Sequence, residues 1–494
     1  MKKTILLLAV VLLLTSFPSL ASNIPGYEGG IMNENKYKEV IFITGEPIVM
    51  EGSVDIDIKI NEKKNTISER YTYKLQNPLK NAKLTRTIRI TGTLSDDDNQ
   101  TIVTRTISSF QEKIEIGDTS YVAKNNTKNK AYQWNQSTVT HKRPILDYFA
   151  GDIFARKTYT INKQDTNTIT VEAVGKTVGY NSPWSSTETH TIEYFIQHEN
   201  LLNPAANWTG TATVEASYNR TRDYSYEENI PVQTSFRGGQ NIVENHENVL
   251  KYSYDLPRFN GEDILPGRNV GEGSFAINTV PVPERLSIPK AKDILGHEYQ
   301  DELFLLASLE AFPVNRTHIG PNTPISRGDF ARVIVESMDI PIKVEEETSR
   351  RRRSREEPKP PIFKDVDRNN ANFYYIEAVA EKGIMHGKDK GYFYPNNPLT
   401  RAEAYTTVMR LLGLENLAPI NKNYTTGYLD DASIPNWAKD YIYVAKQLGI
   451  ADEGDYFYPN RNITNGEVAK LIVDLINYMQ EDLRHDYREN LLNN

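Results

Sequence analysis

Two hydrophobic periods divide the chain. Between Tyr37 and Asp255 apolar and polar residues alternate in runs, the spacing of strands that bury one face. Residues 53–60 read SVDIDIKI, with Val54, Ile56, Ile58 and Ile60 on one side and acids or lysine on the other. Residues 84–94 and 101–110 are β-branched runs joined by the polar stretch 95–100, which has the composition of a hairpin loop. Residues 157–161, 168–178, 188–197, 209–217 and 249–256 continue the pattern. It predicts an antiparallel β-sandwich-like region over residues 24–285, built as one large domain or as two of about 110 residues each.

Past a break at the proline-rich residues 281–289 the period becomes that of helices. Val468, Leu471, Ile472, Leu475, Ile476 and Met479 form one apolar stripe at helical spacing. Val408, Met409, Leu411 and Leu412 repeat it upstream, and Phe330, Val333, Ile334 and Met338 repeat it again. Each stripe begins on a capping signal. Thr400 with Glu403, and Thr464 with Glu467, have the T-x-x-E spacing of a capping box, and Ser326 with Asp329 is a shorter version. A second helix is predicted upstream of each. Two of these, over residues 374–382 and 437–448, end on Gly383 and Gly449, where a left-handed C′ residue is expected.

The helical part is a repeat. Residues 391–414 read GYFYPNNPLTRAEAYTTVMRLLGL, and residues 455–478, 64 positions on, read DYFYPNRNITNGEVAKLIVDLINY. An earlier copy, PNTPISRGDFARVIVESMDI, spans 321–340, with Arg327 standing 74 positions before Arg401. Units of this size bury their apolar faces by stacking on one another. The extra length before the second copy is the charged, proline-containing stretch 344–361, read as a solvated linker.

Composition places the chain outside the cell. Lys2 and Lys3 precede the apolar run 5–14, and Ser19, Leu20 and Ala21 supply small residues for a signal peptidase, so residues 1–21 are expected to be a leader. The run is shorter than the roughly 20 residues that span a bilayer, and no transmembrane segment is expected. There is no cysteine, which excludes disulfides and thiolate metal sites. No apolar tail follows a sorting motif, so covalent wall attachment is not expected. Loss of Lys2 and Lys3 takes the formal net charge from −8 to −10, which argues against nucleic acid as a partner.

The repeated residues resemble the S-layer homology domain, three tandem copies of which attach proteins to bacterial cell walls. The second unit (362–420) carries Phe363-Lys364-Asp365-Val366, Gly383-Ile384, Gly391-Tyr392-Phe393-Tyr394-Pro395 and an intact Thr400-Arg401-Ala402-Glu403. The third (425–485) carries Asp430, Trp437-Ala438, Gly449-Ile450 and Thr464-Asn465-Gly466-Glu467. The first (290–343) carries Asp293-Ile294, Pro324 and Ser326-Arg327-Gly328-Asp329. The resemblance implies a multidomain α+β protein whose C-terminal all-α module has pseudo-threefold symmetry. It would be made of three helical hairpins, with the upstream helices in a central bundle. It further implies grooves that bind secondary cell-wall polysaccharide, an anionic polymer whose recognised sugar often carries a pyruvyl ketal. Arg401 and Arg327, each first after its cap, are expected to point outward and meet that carboxylate. Asp365, Asp430, Trp437, Tyr392 and Tyr394 complete the expected polysaccharide-binding set. Asn465 stands where the arginine belongs, and Glu298 and Ala371 stand where Trp437 has counterparts. One strong groove at Arg401, a moderate one at Arg327 and a weak third are therefore expected.

Signatures of catalysis are largely missing from the β-rich part. It has no paired-histidine zinc motif and no G-x-S-x-G elbow. His190 and His198 share a strand face but stand about 26 Å apart, too far to share a metal. Asp96, Asp97 and Asp98 are an oxygen cluster that Ca²⁺ would accept, yet they read first as a turn. No cofactor is expected. The reading is a non-enzymatic protein anchored to the wall, its β-region displayed as a structural or adhesive element, with self-association in a surface layer as a further expected partner. The alternatives are an anchored glycan hydrolase or peptidase, and a lectin using exposed aromatics such as Trp134, Trp184 or Trp208.

Overall fold

The structure is a computed structural model. The residues it describes are 29–488 without 35, 98, 126–129, 229–237, 261–262, 314–315, 344–359, 390 and 422. The expected leader, Asp98 and nearly all of the expected linker lie outside them.

Among the described residues fifteen strands form one antiparallel sheet. They are β1 (Ile31–Met32), β2 (Tyr37–Ile41), β3 (Ile48–Asn61), β4 (Thr66–Asn77), β5 (Ala82–Asp97), β6 (Gln100–Ile116), β7 (Thr119–Lys124) and β8 (Tyr132–Lys142). There follow β9 (Asp147–Ile161), β10 (Gln164–Asn181), β11 (Ser185–Asn200), β12 (Trp208–Glu227), β13 (Gly239–Asn260), β14 (Asp263–Asn278) and β15 (Pro283–Arg285). Neighbours in the sheet are mostly neighbours in the chain. There are two exceptions: β7 and β8 lie end to end in one slot between β6 and β9, and β15 pairs with β13. A two-sheet sandwich was expected, and a single continuous sheet is found. Its hairpin connections supply no crossover that would move strands into a second layer.

The sheet curls until its ends meet. Phe42 packs on Tyr194 and Tyr252, from β11 and β13. Asn33 Nδ2 donates to Asn278 O at 3.3 Å, and Asn269 Nδ2 donates to Gly45 O at 2.7 Å. Side-chain amides thus stitch a seam along which no ladder joins β2 to β14 among the described residues. The inner face is mostly apolar, with buried pairs at Arg105–Glu69 and His190–Glu188 and a larger ionic cluster around Arg86. Arg86 grips Glu39 through two 2.8 Å bonds and also donates to Glu112, which Lys157 approaches to 3.3 Å and Tyr159 donates to. Burial would raise the Glu112 pKa, but Arg86 and Lys157 outweigh it and hold the carboxylate ionised.

Among the described residues seven α-helices follow: α1 (Gln300–Ser308), α2 (Arg327–Ser337), α3 (Phe373–Glu381), α4 (Arg401–Leu412), α5 (Asn436–Gln447), α6 (Asn465–Glu481) and α7 (Leu483–Asp486). Their units are joined in a ring by backbone bonds. Leu399 N donates to Ile325 O, Ile463 N to Leu399 O, and Ile325 N to Ile463 O. The helix pairs also cross unit boundaries: α2 packs on α3, α4 on α5, and α6 on α1. The capped helices α2, α4 and α6 are buried almost all round, whereas α3 and α5 bury a single face. The interior is therefore made chiefly by the downstream helices, with the upstream helix α1 also largely buried, whereas the resemblance placed all three upstream helices there. Small residues after each cap (Gly328, Ala402, Gly466) let the helix ends approach the neighbouring backbone.

One end of the β-roll is keyed into the helices. Trp184 is 1% exposed, donates from Nε1 to Ser337 O at 3.0 Å, and shares a hydrophobic core with Ile145, Tyr180, Ile242 and the helical side chains. Tyr224 Oη donates to Asn477 at 2.8 Å, Tyr148 stacks on Tyr487, and Ile145 N donates to Leu411 O.

Candidate functional site: the clefts between helical units

Each unit presents a loop that an aspartate holds in place. Asp365 accepts from the backbone of Phe393 at 2.8 Å and of Tyr394 at 2.7 Å. Asp430 does the same for Phe457 and Tyr458 at the same distances, and Asp293 does so for Ile319 and Gly320. The second residue of each pair has positive φ: +58° at Tyr394, +55° at Tyr458 and +72° at Gly320. Two charge-assisted bonds offset the cost of left-handed tyrosines. Asp365 and Asp430, expected to bind sugar, are spent on their own loops. Phe393 and Phe457 are core residues, 0% and 1% exposed.

The residue after each cap reaches across to the loop of the next unit. Arg327 Nε donates to Phe393 O, Arg401 Nε to Phe457 O, both at 2.9 Å, and Asn465 Nδ2 to Ile319 O at 3.1 Å. Both arginines are buried, 5% and 6% exposed, and lie over aromatic rings. The expectation that they point freely outward is corrected. Just after its cap, each side chain meets the carbonyls of the adjacent unit before it meets solvent.

The two arginines differ in their counter-ions. Arg401 lies 3.1 Å from both Asp452 and Glu467. Burial pulls its pKa down, but Tyr405, Asp452 and Glu467 outweigh that and the net change is a rise. Arg327 donates instead to two backbone carbonyls, the second being His386 O at 2.8 Å, and no carboxylate lies in ion-pair contact with it among the described residues. Its pKa falls through burial, with Glu403 and Asp365 too far away to restore it. The equivalent of Glu467 is Glu403, which Lys388 holds at 2.8 Å. The equivalent of Asp452 is His386, since Arg327 and Arg401 reach the same point of the two loops. The expected ranking put Arg401 first; the structure shows Arg401 paired with two carboxylates and Arg327 bonded only to backbone carbonyls among the described residues. A buried cation without a counter-ion is the group that gains most from an anion.

The rims agree with this contrast. Around Arg327 stand His386, Lys388 and Lys364, whose Nζ lies 5.6 Å over the Tyr392 ring. Tyr392, 40% exposed, stacks beside Tyr394. Beside Arg401 stands Asp452, followed in the same loop by Glu453, Asp455 and the exposed pair Tyr456 and Tyr458. Lys364 entered the sequence analysis only as part of a motif, and His386, Asp452 and the second tyrosine pair were given no binding role there. Aligning the loops on their G-I and Y-F-Y-P residues was the signal that would have found them. Trp437 is 51% exposed at the start of α5. Thr400 with Glu403, and Thr464 with Glu467, form reciprocal capping boxes. Ser326 caps Asp329 N, while the Asp329 carboxylate turns to Asn372 and the Ser326 hydroxyl.

Elsewhere, Trp134 and Trp184 are buried, which removes two of the three aromatics of a lectin surface. His190 is buried against Thr177 and Glu188, and His198 is held by Ala206 O and Asn167. Asp96 is engaged by Lys142 and Thr101. Among the described residues no group of acids and histidines is placed to hold a metal, and no helix is long and apolar enough to cross a membrane.

Comparison with known proteins matches the S-layer homology domain to residues 362–404 and 427–469, the second and third units. The S-layer protein sap of Bacillus anthracis is 34% identical over 113 residues, which is 23% of this chain and 13% of that protein. An amylopullulanase of Thermoanaerobacterium thermosulfurigenes is 27% identical over 235 residues, 46% of this chain and 12% of the relative. The exoglucanase XynX of Acetivibrio thermocellus is 27% identical over 187 residues, 37% of this chain and 16% of the relative. The chain thus spans about an eighth to a sixth of the length of these relatives. It carries S-layer homology domains, and with its S-layer relatives these support a secreted cell-surface protein.

Proposed function

We propose, for a chain that carries S-layer homology domains, that its helical units act as one pseudo-threefold module anchoring it non-covalently to secondary cell-wall polysaccharide. The β-roll is then displayed from the surface as a structural or adhesive element. The observation that carries this reading is Arg327, a buried guanidinium held by two carbonyls, without a carboxylate partner among the described residues and beneath a rim of Lys364, His386 and Tyr392. A sugar carboxylate, such as a pyruvyl ketal, supplies the missing charge, and the tyrosine pair offers a flat face to its ring. The Arg401 cleft carries its own carboxylates and competes poorly for that ligand. Trp437 is proposed as a secondary contact beside it.

Sedimentation of the full mature chain with wall sacculi tests the reading. Retention is expected on intact sacculi and loss on sacculi stripped of polysaccharide. Equal retention on both would reject it. The glycosidase relatives keep an anchored enzyme in view, but the shares matched are small, and the carboxylates buried in the roll are engaged: Glu39 and Glu112 with Arg86, Glu69 with Arg105 and Glu188 beside His190. A non-enzymatic role is the reading we prefer.

A further inference from the structure

The β-roll has two ends, and only one is used by the helices. Trp184, Tyr224 and Ile242 mark the docked end. The same strands run on to Ile161, Ile169, His198, Trp208 and Phe259 at the other, where they surround an open cavity of about 690 Å³. From Arg222 to Trp208 along β12 the rise is about 45 Å. This mouth therefore lies far from the anchoring clefts, on the opposite end of the domain.

We infer that the distal mouth is a second binding site, whose ligand is an acidic saccharide. The claim goes beyond anchoring and does not depend on it. Its walls are built and fixed. His198 is held at Nδ1 by Ala206 O (2.7 Å) and at Nε2 by Asn167 Oδ1 (2.8 Å), so its ring is locked, and it stacks on Trp208 at 5.8 Å. Phe259 meets Trp208 edge-on at 6.2 Å. Phe259 fills the space over Gly45 that a Cβ would occupy, at 2.1 Å, and Asn269 ties the Gly45 carbonyl to β14. The indole is thus held in place before any ligand arrives, which lowers the ordering cost of binding.

Charge selects the class of ligand. Arg268 is neutralised by Asp255, and Glu46 by Lys80. Arg258 is exposed at the register shift in β13 and has no partner among the described residues, leaving one uncompensated guanidinium on the rim. A bulge of this kind re-aims side chains out of the ladder. An aromatic face beside a fork of N–H donors fits a sugar ring carrying a carboxylate.

The test uses the full mature chain with hexagalacturonate as probe and cellohexaose as its neutral counterpart, read by calorimetry. Saturable binding of hexagalacturonate is expected, with little of cellohexaose. Arg258→Gln, a surface change that leaves the fold intact, is expected to weaken binding tenfold or more, and Trp208→Ala likewise, while both variants keep wild-type retention on sacculi. Absence of saturable binding, equal binding of the neutral hexamer, or indifference to Arg258→Gln would overturn the inference. So would loss of a concentration-dependent self-association in Arg258→Gln without any effect of the probe, which would assign the mouth to a second copy of the chain. Because sacculi retention is read separately, failure of the anchoring proposal is distinguishable from failure of this one.

Discussion

Single side chains at the repeat loops do different work from what their type suggests. Asp365 looks like a surface ligand but satisfies two N–H groups and holds a tyrosine in the left-handed region. Asp365→Ala orphans both and is expected to cost roughly 2 kcal/mol, read as a lower unfolding midpoint in urea. Unchanged stability would remove its clamp role. Inside the roll, Arg86→Met leaves Glu39 and Glu112 facing each other without their shared cation. A loss of about 3–5 kcal/mol is expected by the same measurement. A loss below about 1 kcal/mol would mean that the guanidinium is not what holds the cluster together.

At the scale of elements, capping and charge are coupled at α6. Glu467 closes the capping box with Thr464 and also meets Arg401 and Arg461. Burial would raise its pKa, but Arg461, the Thr464 backbone and Arg401 outweigh burial and set it below the ordinary range. A lowered folded-state value means this stability is present above the unfolded pKa of about 4.3 and is lost as pH falls through the folded one. Asp293 and Asp431 are lowered too, each against an opposing burial effect that backbone bonds from Gly320 and Thr426 respectively outweigh. Thermal melts between pH 7 and pH 3 are expected to show a falling midpoint below about pH 4, with a shallower fall in Glu467→Gln. The same slope in both would assign acid sensitivity elsewhere.

The strands and caps were legible because they are local: alternation over a few residues and a threonine three places before a glutamate. Which helices form the interior was not legible, since α4 and α5 are both amphipathic and only their packing distinguishes them. The orientation of Arg401 depends on Phe457, 56 residues away in the next unit, and no spacing rule reports that. That one sheet replaces two followed from the connectivity of fifteen strands rather than from any one of them.

For the whole molecule, the shared core around Trp184 makes the roll and the helices one mechanical unit. Trp184→Ala is expected to separate a single thermal transition into two, because the side chain fills the junction and its truncation costs about 3–5 kcal/mol. Retention of one transition would show that other contacts suffice. Such rigid coupling suits an anchored protein, since it fixes how far and in which direction the distal mouth stands from the wall.

The central claim is that one cleft is left electrostatically unfilled and its neighbour is filled by the chain itself. Exchanging the residues that make the difference tests it most directly, by calorimetric titration of purified wall polysaccharide into the full mature chain. His386→Asp is expected to give Arg327 an internal partner and weaken binding by about tenfold to a hundredfold, roughly the 1.5–3 kcal/mol of a charged hydrogen bond. Asp452→His removes one of the two carboxylates that hold Arg401, leaving Glu467, and is expected to add a second, weaker site. Wild-type affinity and stoichiometry in both variants would contradict the account.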